Sequence, residues 1–280
     1  RVRFLIAQDV PDELEAGMTL LRELADRMRK DSRTPCETSK LVVGLKCGGS
    51  DGLSGITANP TIGAFSDLLT AQGGTTILTE VPEMFGAETI LMNRGKDEET
   101  YTKTVHLIND FKDYFASCGQ PVYENPSPGN KAGGLSTLDE KSLGCIRKGG
   151  TRPITEVLEQ AKRPTKSGAV VMDTAGYDIS SVTSMVAGGS NLVVFTTGRG
   201  TPTGNAIAPV LKVTANKHTA SWMSDNMDVD LSGIIDGTLT IEDAGELLLG
   251  KVLEICNGKL TKAEAYGFSD IAVDHVCRYV

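Results

Sequence analysis

Three glycine-rich segments carry the side chains best suited to chemistry. In C-G-G-S-D, Cys47 to Asp51, a carboxylate follows two glycines; carboxylate oxygen suits a hard divalent cation, and glycine lets the backbone come close. Asp51 could equally brace its own loop through an Asx turn. Cys47 offers a softer ligand for iron, although a small thiol at a strand end is more commonly just buried. In T-T-G-R-G, Thr196 to Gly200, Arg199 stands between glycines and can present its planar fork to a carboxylate, or form a salt bridge elsewhere in the fold. In G-N-K-A-G-G, Gly129 to Gly134, Lys131 could serve as a base if desolvation lowered its pKa, or stabilise an anion. Lys212 has the same options, beside that of an alkyl stem packed along a sheet edge.

These segments need a scaffold that gathers them. Val2 to Ala7 has strand length, and Leu14, Met18, Leu21, Leu24 and Met28 recur at helical spacing over Pro11 to Lys30. Leu41 to Leu45 and Thr75 to Thr79 read as buried strands, Pro60 to Ala71 and Asp97 to Phe115 as helices. Glu124 to Gly134 has neither period and reads as a packed irregular loop; helices are expected over Thr137 to Arg147 and Ile154 to Ala161. Strands follow at Ala169 to Met172, Leu192 to Phe195 and Val210 to Val213, with a helix around Ile179 to Ala187 and long helices closing the chain. Apolar strands alternating with helices imply an α/β fold, a mostly parallel Rossmann-like sheet flanked by helices. Two lobes are expected, 1–163 and 164–280, meeting at the linker-like K-R-P-T-K-S-G, Lys162 to Gly168. In such sheets ligands collect at the carboxyl ends of strands, where the glycine segments fall. No G-x-G-x-x-G or P-loop pattern accompanies them.

The chain of 280 residues has a net charge of −8 and a pI near 5.0, without the basic stripe of a nucleic-acid binder. No apolar run approaches the roughly 20 residues that span a bilayer. The six cysteines lack C-x-x-C pairs, which fits free thiols in the cytoplasm. Because the chain opens on Arg1 with a strand expected at once, it reads as a segment of something longer.

Five strings resemble the altronate and galactarate dehydratase family: G-L-K-C-G-G-S-D-G-L-S-G-I-T-A-N-P (Gly44 to Pro60), N-P-S-P-G-N-K-A-G-G-L (Asn125 to Leu135), E-K-S-L-G (Glu140 to Gly144), M-D-T-A-G-Y-D (Met172 to Asp178) and F-T-T-G-R-G (Phe195 to Gly200). The resemblance implies a dehydratase stimulated by Fe2+ or Mn2+ that turns a sugar acid into its 2-keto-3-deoxy product, usually with a small N-terminal domain or a separate small subunit that is absent here. Removing a proton beside a carboxylate then requires fixed positive charge and a base. Asp51 and Cys47 become candidate metal ligands, and Lys131, Lys212 and Arg199 candidate catalytic groups. Ser50, Asn59, Asn130, Asp173, Arg199 and Asn216 become candidate substrate binders; Asp178 is expected to cap the helix after it. The segment from Asn216, N-K-H-T-A-S-W, and the A-P-V-L-K-V before it also resemble the large subunit of sulfolactate sulfo-lyase, so loss of sulfite is an alternative. A non-catalytic subunit that binds a small anion is a third, and a homodimer is a common state for such enzymes.

Overall fold

The structure is a computed structural model describing residues 2–273, so His275 and Cys277 lie outside the described residues. It divides into two compact units, Arg1–Glu37 and Thr38–Val280. In the first, α1 (Glu13–Met28) begins at Asp12, whose carboxylate accepts from the backbone N–H groups of Leu14 and Glu15, with Glu13 and Glu15 adding negative charge to the same turn. The strand expected over Val2 to Ala7 does not form: this stretch is irregular and runs into a short 3-10 turn at Ala7–Asp9. A strand needs a neighbouring edge for its N–H and C=O groups, and this unit offers only a helix.

The second unit is built on seven parallel strands: β1 (Val42–Cys47), β2 (Thr75–Leu78), β3 (Ile154–Leu158), β4 (Gly168–Met172), β5 (Leu192–Thr196), β6 (Val210–Thr214) and β7 (Val229–Asp230), in the order β3-β4-β2-β1-β5-β6-β7. Residues on both sides of position 163 thus contribute to one sheet. The segment expected as a helix, Ile154 to Ala161, instead starts as edge strand β3. Its I-T-E-V-L run is short and rich in β-branched residues, and the neighbouring β4 backbone satisfies it. Conversely, a turn of helix, α5 (Pro128–Ala132), stands inside the expected irregular loop, started by Pro128 and a capping box between Ser127 and Asn130.

Alternate side chains of the central strands feed two cores. Leu192 and Val194 pack with α2 (Ala58–Ala71) and α9 (Ile241–Cys256) on one face, while Val193 and Phe195 pack with Val182 and Met185 of α7 (Asp178–Ala187) on the other. A Cβ on Gly245 would lie 2.7 Å from Cβ of Ala64, so glycine is what lets α2 and α9 cross closely. A third core joins α3 (Glu88–Met92) and α4 (Glu98–Ser117) to the β2–β4 side. From β1 the chain steps outward to β2 on one side, then returns to place β5 on the other. That reversal opens a crevice at the carboxyl ends of β1 and β5, where open α/β sheets bind ligands.

Candidate active site

The loops after β1 and β5 are laced together over this crevice. Gly48 N–H donates to Thr196 O at 3.0 Å, and Arg199 N–H to Gly49 O at 3.0 Å. Two glycines are obligatory here: a Cβ on Gly48 would meet Asp178 Oδ2 at 2.4 Å, and one on Gly198 would meet Asp51 Cγ at 2.2 Å. Asp51 is buried and fully engaged. Its Oδ1 accepts from Leu53 N at 3.1 Å, Ser54 N at 2.9 Å and Ser54 Oγ at 2.8 Å, and its Oδ2 accepts from Asn216 Nδ2 at 2.9 Å. Asn216 in turn caps α8 (Lys217–Trp222) by accepting from His218 N and Thr219 N.

Beside these loops lies a cavity of about 720 Å³. Cys47, Gly49, Glu83, Asn130, Lys141, Asp178 and Arg199 form its polar wall, and Pro82, Phe115, Pro121 and Val122 an apolar one. A chamber of about 10 Å³ adjoins it, walled by Ser50, Asp51, Asn59 and Cys145, with Glu83 and Lys141 common to both spaces. Of the residues expected from sequence, Cys47, Asn130 and Arg199 line the cavity and Ser50, Asp51 and Asn59 the chamber. Asp173, Lys131, Lys212 and Asn216 lie outside both walls. Asp178 does not cap α7: the N-cap position is Tyr177, Asp178 is already the first helical residue, and its carboxylate pairs with Lys46 at 3.0 Å.

Beneath the cavity lies a charge network that sequence reasoning missed. Glu80, at a left-handed position with φ of 71°, gives one carboxylate oxygen to Lys46 and the other to Lys148. All three side chains are 0% exposed. Lys46 also donates to Gly176 O at 2.9 Å, and Lys148 to Cys145 Sγ at 3.0 Å. Lys141, on α6 (Leu138–Ile146), reaches Glu83 Oε1 at 2.8 Å. Three ammoniums therefore meet three carboxylates, those of Glu80, Glu83 and Asp178.

Burial alone would lower the pKa of Lys46, but Glu80, Asp178 and Glu83 more than offset it and hold the amine protonated. Burial likewise pushes Glu83 up, and Lys141, Lys46 and Lys148 outweigh it, bringing the carboxyl down to about 2. Burial raises the thiols of Cys47 and Cys145 and keeps them neutral. Ligand atoms of Glu80, Glu83 and Cys145 lie within 4.8 Å of one another, so this group could hold a metal ion. Glu83 Oε2 is buried without a hydrogen-bond partner.

Lys212 is a different case. It is 1% exposed, its Nζ has no hydrogen-bond partner among the described residues, and it sits 5.1 Å from the centre of the Phe195 ring. Burial lowers its pKa to about 8, against the opposing pull of Asp228, Asp270 and Asp178. A folded-state pKa below the unfolded 10.5 makes this amine oppose folding, fully below pH 8 and progressively less as the pH rises toward 10.5. Lys212→Met should therefore be more stable than the parent by about 2 kcal/mol at pH 7, with the gap closing by pH 10. Urea unfolding at the two pH values measures it; a gap that does not change with pH contradicts the assignment.

Residues 38–278 match the family model described as "D-galactarate/Altronate dehydratase, C-terminal". The chain belongs to that family. It is 47% identical over 273 residues to the altronate dehydratase of Bacillus subtilis (strain 168), covering 98% of this chain and 55% of that protein. To the galactarate dehydratase (L-threo-forming) of Escherichia coli (strain K12) it is 40% identical over 250 residues, 89% of this chain and 47% of the relative. A (2R)-sulfolactate sulfo-lyase subunit beta from Chromohalobacter salexigens is 36% identical over 255 residues, 90% of this chain and 66% of the subunit. The chain thus spans about half the length of the two dehydratases. No helix among the described residues is long and apolar enough to cross a membrane.

Proposed function

We propose that this chain forms the catalytic part of a hydro-lyase that removes water from a sugar acid such as altronate or galactarate, giving the 2-keto-3-deoxy acid. The observation that carries this reading is the cavity at the β1/β5 crevice, where Arg199 and Lys141 bring positive charge to a wall otherwise suited to hydroxyl groups. Arg199, exposed at the mouth, binds the substrate carboxylate in its planar fork. Asn130 and Asp178 face the cavity and meet the hydroxyls. Asp51, Ser50, Asn59 and Asn216 hold the loops in place: Asn59 bridges Gly144 O and Thr196 Oγ1, and Asn130 holds Ser50 O.

A divalent ion, Fe2+ or Mn2+, belongs to this proposal. Glu83 Oε2, buried without a hydrogen-bond partner, is open to such an ion, and Glu80 and Cys145 would complete a carboxylate and thiol donor set only on giving up their lysine partners. When bound it supplies charge against the aci-carboxylate that develops as the C2 proton leaves. Both oxygens of Asp51 already accept protein hydrogen bonds, so it serves the site through its loop. Lys131 and Lys212 line neither the cavity nor the chamber and so are not placed to take the C2 proton. The working enzyme is cytoplasmic, and a further domain or small subunit, or a second copy of the chain, completes it.

The sulfo-lyase relative favours a second reading, loss of sulfite from sulfolactate. Both are tested by assaying the protein at its natural length, with Fe2+ or Mn2+, against altronate, galactarate and sulfolactate. Keto acid from a sugar acid without sulfite from sulfolactate is expected. Sulfite release would favour the second reading, and binding without turnover would contradict both.

A further inference from the structure

A hydroxyl at C3 is a poor leaving group. It departs readily only if a cation meets the oxygen as charge builds on it, and the water formed needs a place to go. The floor of the cavity holds both features side by side. Lys141 is 8% exposed and lies where the large cavity meets the small chamber. Its Nζ donates to Glu83 Oε1 at 2.8 Å, Asn130 Oδ1 at 2.8 Å and Asn125 Oδ1 at 3.0 Å. Asn125 itself lines the cavity, so a substrate oxygen arriving there can take its place on the ammonium.

The other cations are committed elsewhere. Arg199 is exposed and donates to Gly129 O, which suits it to the carboxylate. Lys46 and Lys148 both face Glu80 and line neither space. Behind Lys141, the chamber of about 10 Å³ is close to the room one water occupies, and Ser50, Asn59 and Glu83 give it polar walls. Sulfite, with a sulfur and three oxygens, is several times too large for it.

We propose that Lys141 is the catalytic residue that meets the departing 3-oxygen, and that the chamber behind it receives the eliminated water. This rests on the hydro-lyase reading above. The C2–H bond breaks, its proton passing to the base and its electron pair into the aci-carboxylate. That pair returns to form the C2=C3 bond as the C3–O bond breaks. The C3–O electrons leave on oxygen as hydroxide, hydrogen-bonded by the Lys141 ammonium, which keeps its own protons. Hydroxide takes up the proton that the base removed, giving one water, and the enol tautomerises to the 2-keto-3-deoxy acid.

The test compares two leaving groups in the protein at its natural length. Wild type and Lys141→Gln are given the sugar acid it dehydrates and the 3-deoxy-3-fluoro analogue of that acid, whose fluoride is stable in water and needs little help to leave. Water elimination should fall about 10²–10³-fold in the variant, with fluoride release within about tenfold of wild type. A purely structural role would lower both alike, so equal losses, or no loss on either, overturn the proposal. If Lys141→Gln does not fold, Lys141→Arg decides, since a guanidinium held off the departing oxygen should give the same split. Sulfite released from sulfolactate faster than water from any sugar acid overturns the chamber's role. A wild type that eliminates water from no sugar acid sinks the hydro-lyase reading itself, a result visible before any variant is made.

Discussion

Glu80→Gln should cost about 3–5 kcal/mol of folding stability. Glu80 is the one carboxylate shared by Lys46 and Lys148, and none of the three is exposed. The amide keeps the shape but brings no charge, and its NH2 group must face an ammonium. Among the described residues Lys148 then keeps only a neutral thiol, Cys145, as a hydrogen-bond partner, while Lys46 retains Asp178 and two carbonyls. Leaving a buried charge without its partner is far more costly than removing the pair. Glu80→Gln with Lys148→Met should therefore recover at least half of the loss. Urea midpoints of the three proteins measure both effects; a single variant within 1 kcal/mol of the parent, on the order of a surface pair, would show that the lysines do not depend on Glu80.

The second large effect is expected at Asp51. Asp51→Ala strands the N–H groups of Leu53 and Ser54, the Ser54 hydroxyl and the Asn216 amide at once. At about 1–3 kcal/mol for a buried donor left unmet, the loop between Cys47 and Ser54 should loosen, and turnover should fall about 10²-fold as the cavity wall shifts. The swap Asp51→Asn with Asn216→Asp separates this from metal binding. Asn at 51 can still accept from the loop and donate to a carboxylate at 216, which would cap α8 at least as well as Asn216 does. Most stability and activity should return. If the swap restores stability but leaves activity and metal stimulation lost, Asp51 is a metal ligand and the bracing account is wrong.

How far the sequence reveals this molecule depends on how local each signal is. Apart from Lys46, β1 and β5 are apolar runs, and the glycine loops follow them directly, so this part of the sheet and the crevice edge are legible from neighbouring residues. Ile154 to Leu158 is too short to separate strand from helix by period, and only the β4 backbone beside it decides. Val2 to Ala7 carries the composition of a strand but lacks a partner edge. The buried ion network was illegible for a further reason: Lys46, Glu80, Lys141 and Lys148 come from separate segments, and each alone looks like an ordinary surface charge. One clue was available. Lys46 interrupts the apolar run L-V-V-G-L-K-C, where both faces of a parallel strand are covered, so a charge there must have a buried partner. The cap that Asn216 places on α8 joins residues two and three positions apart and is a local signal, whereas its bond to Asp51 joins residues 165 positions apart and leaves none in the sequence.

The central claim is that the crevice between β1 and β5 is built for loss of water from a sugar acid, and proton NMR of the reaction in D2O tests it most directly. The protein at its natural length, incubated with altronate or galactarate and Fe2+ or Mn2+, should yield the 2-keto-3-deoxy acid carrying one solvent deuterium at C3, because the enol is protonated there after the hydroxyl has gone. Arg199→Ala should weaken substrate binding in the same assay without moving the label. No keto acid from either sugar acid, or a product without deuterium at C3, would contradict the account.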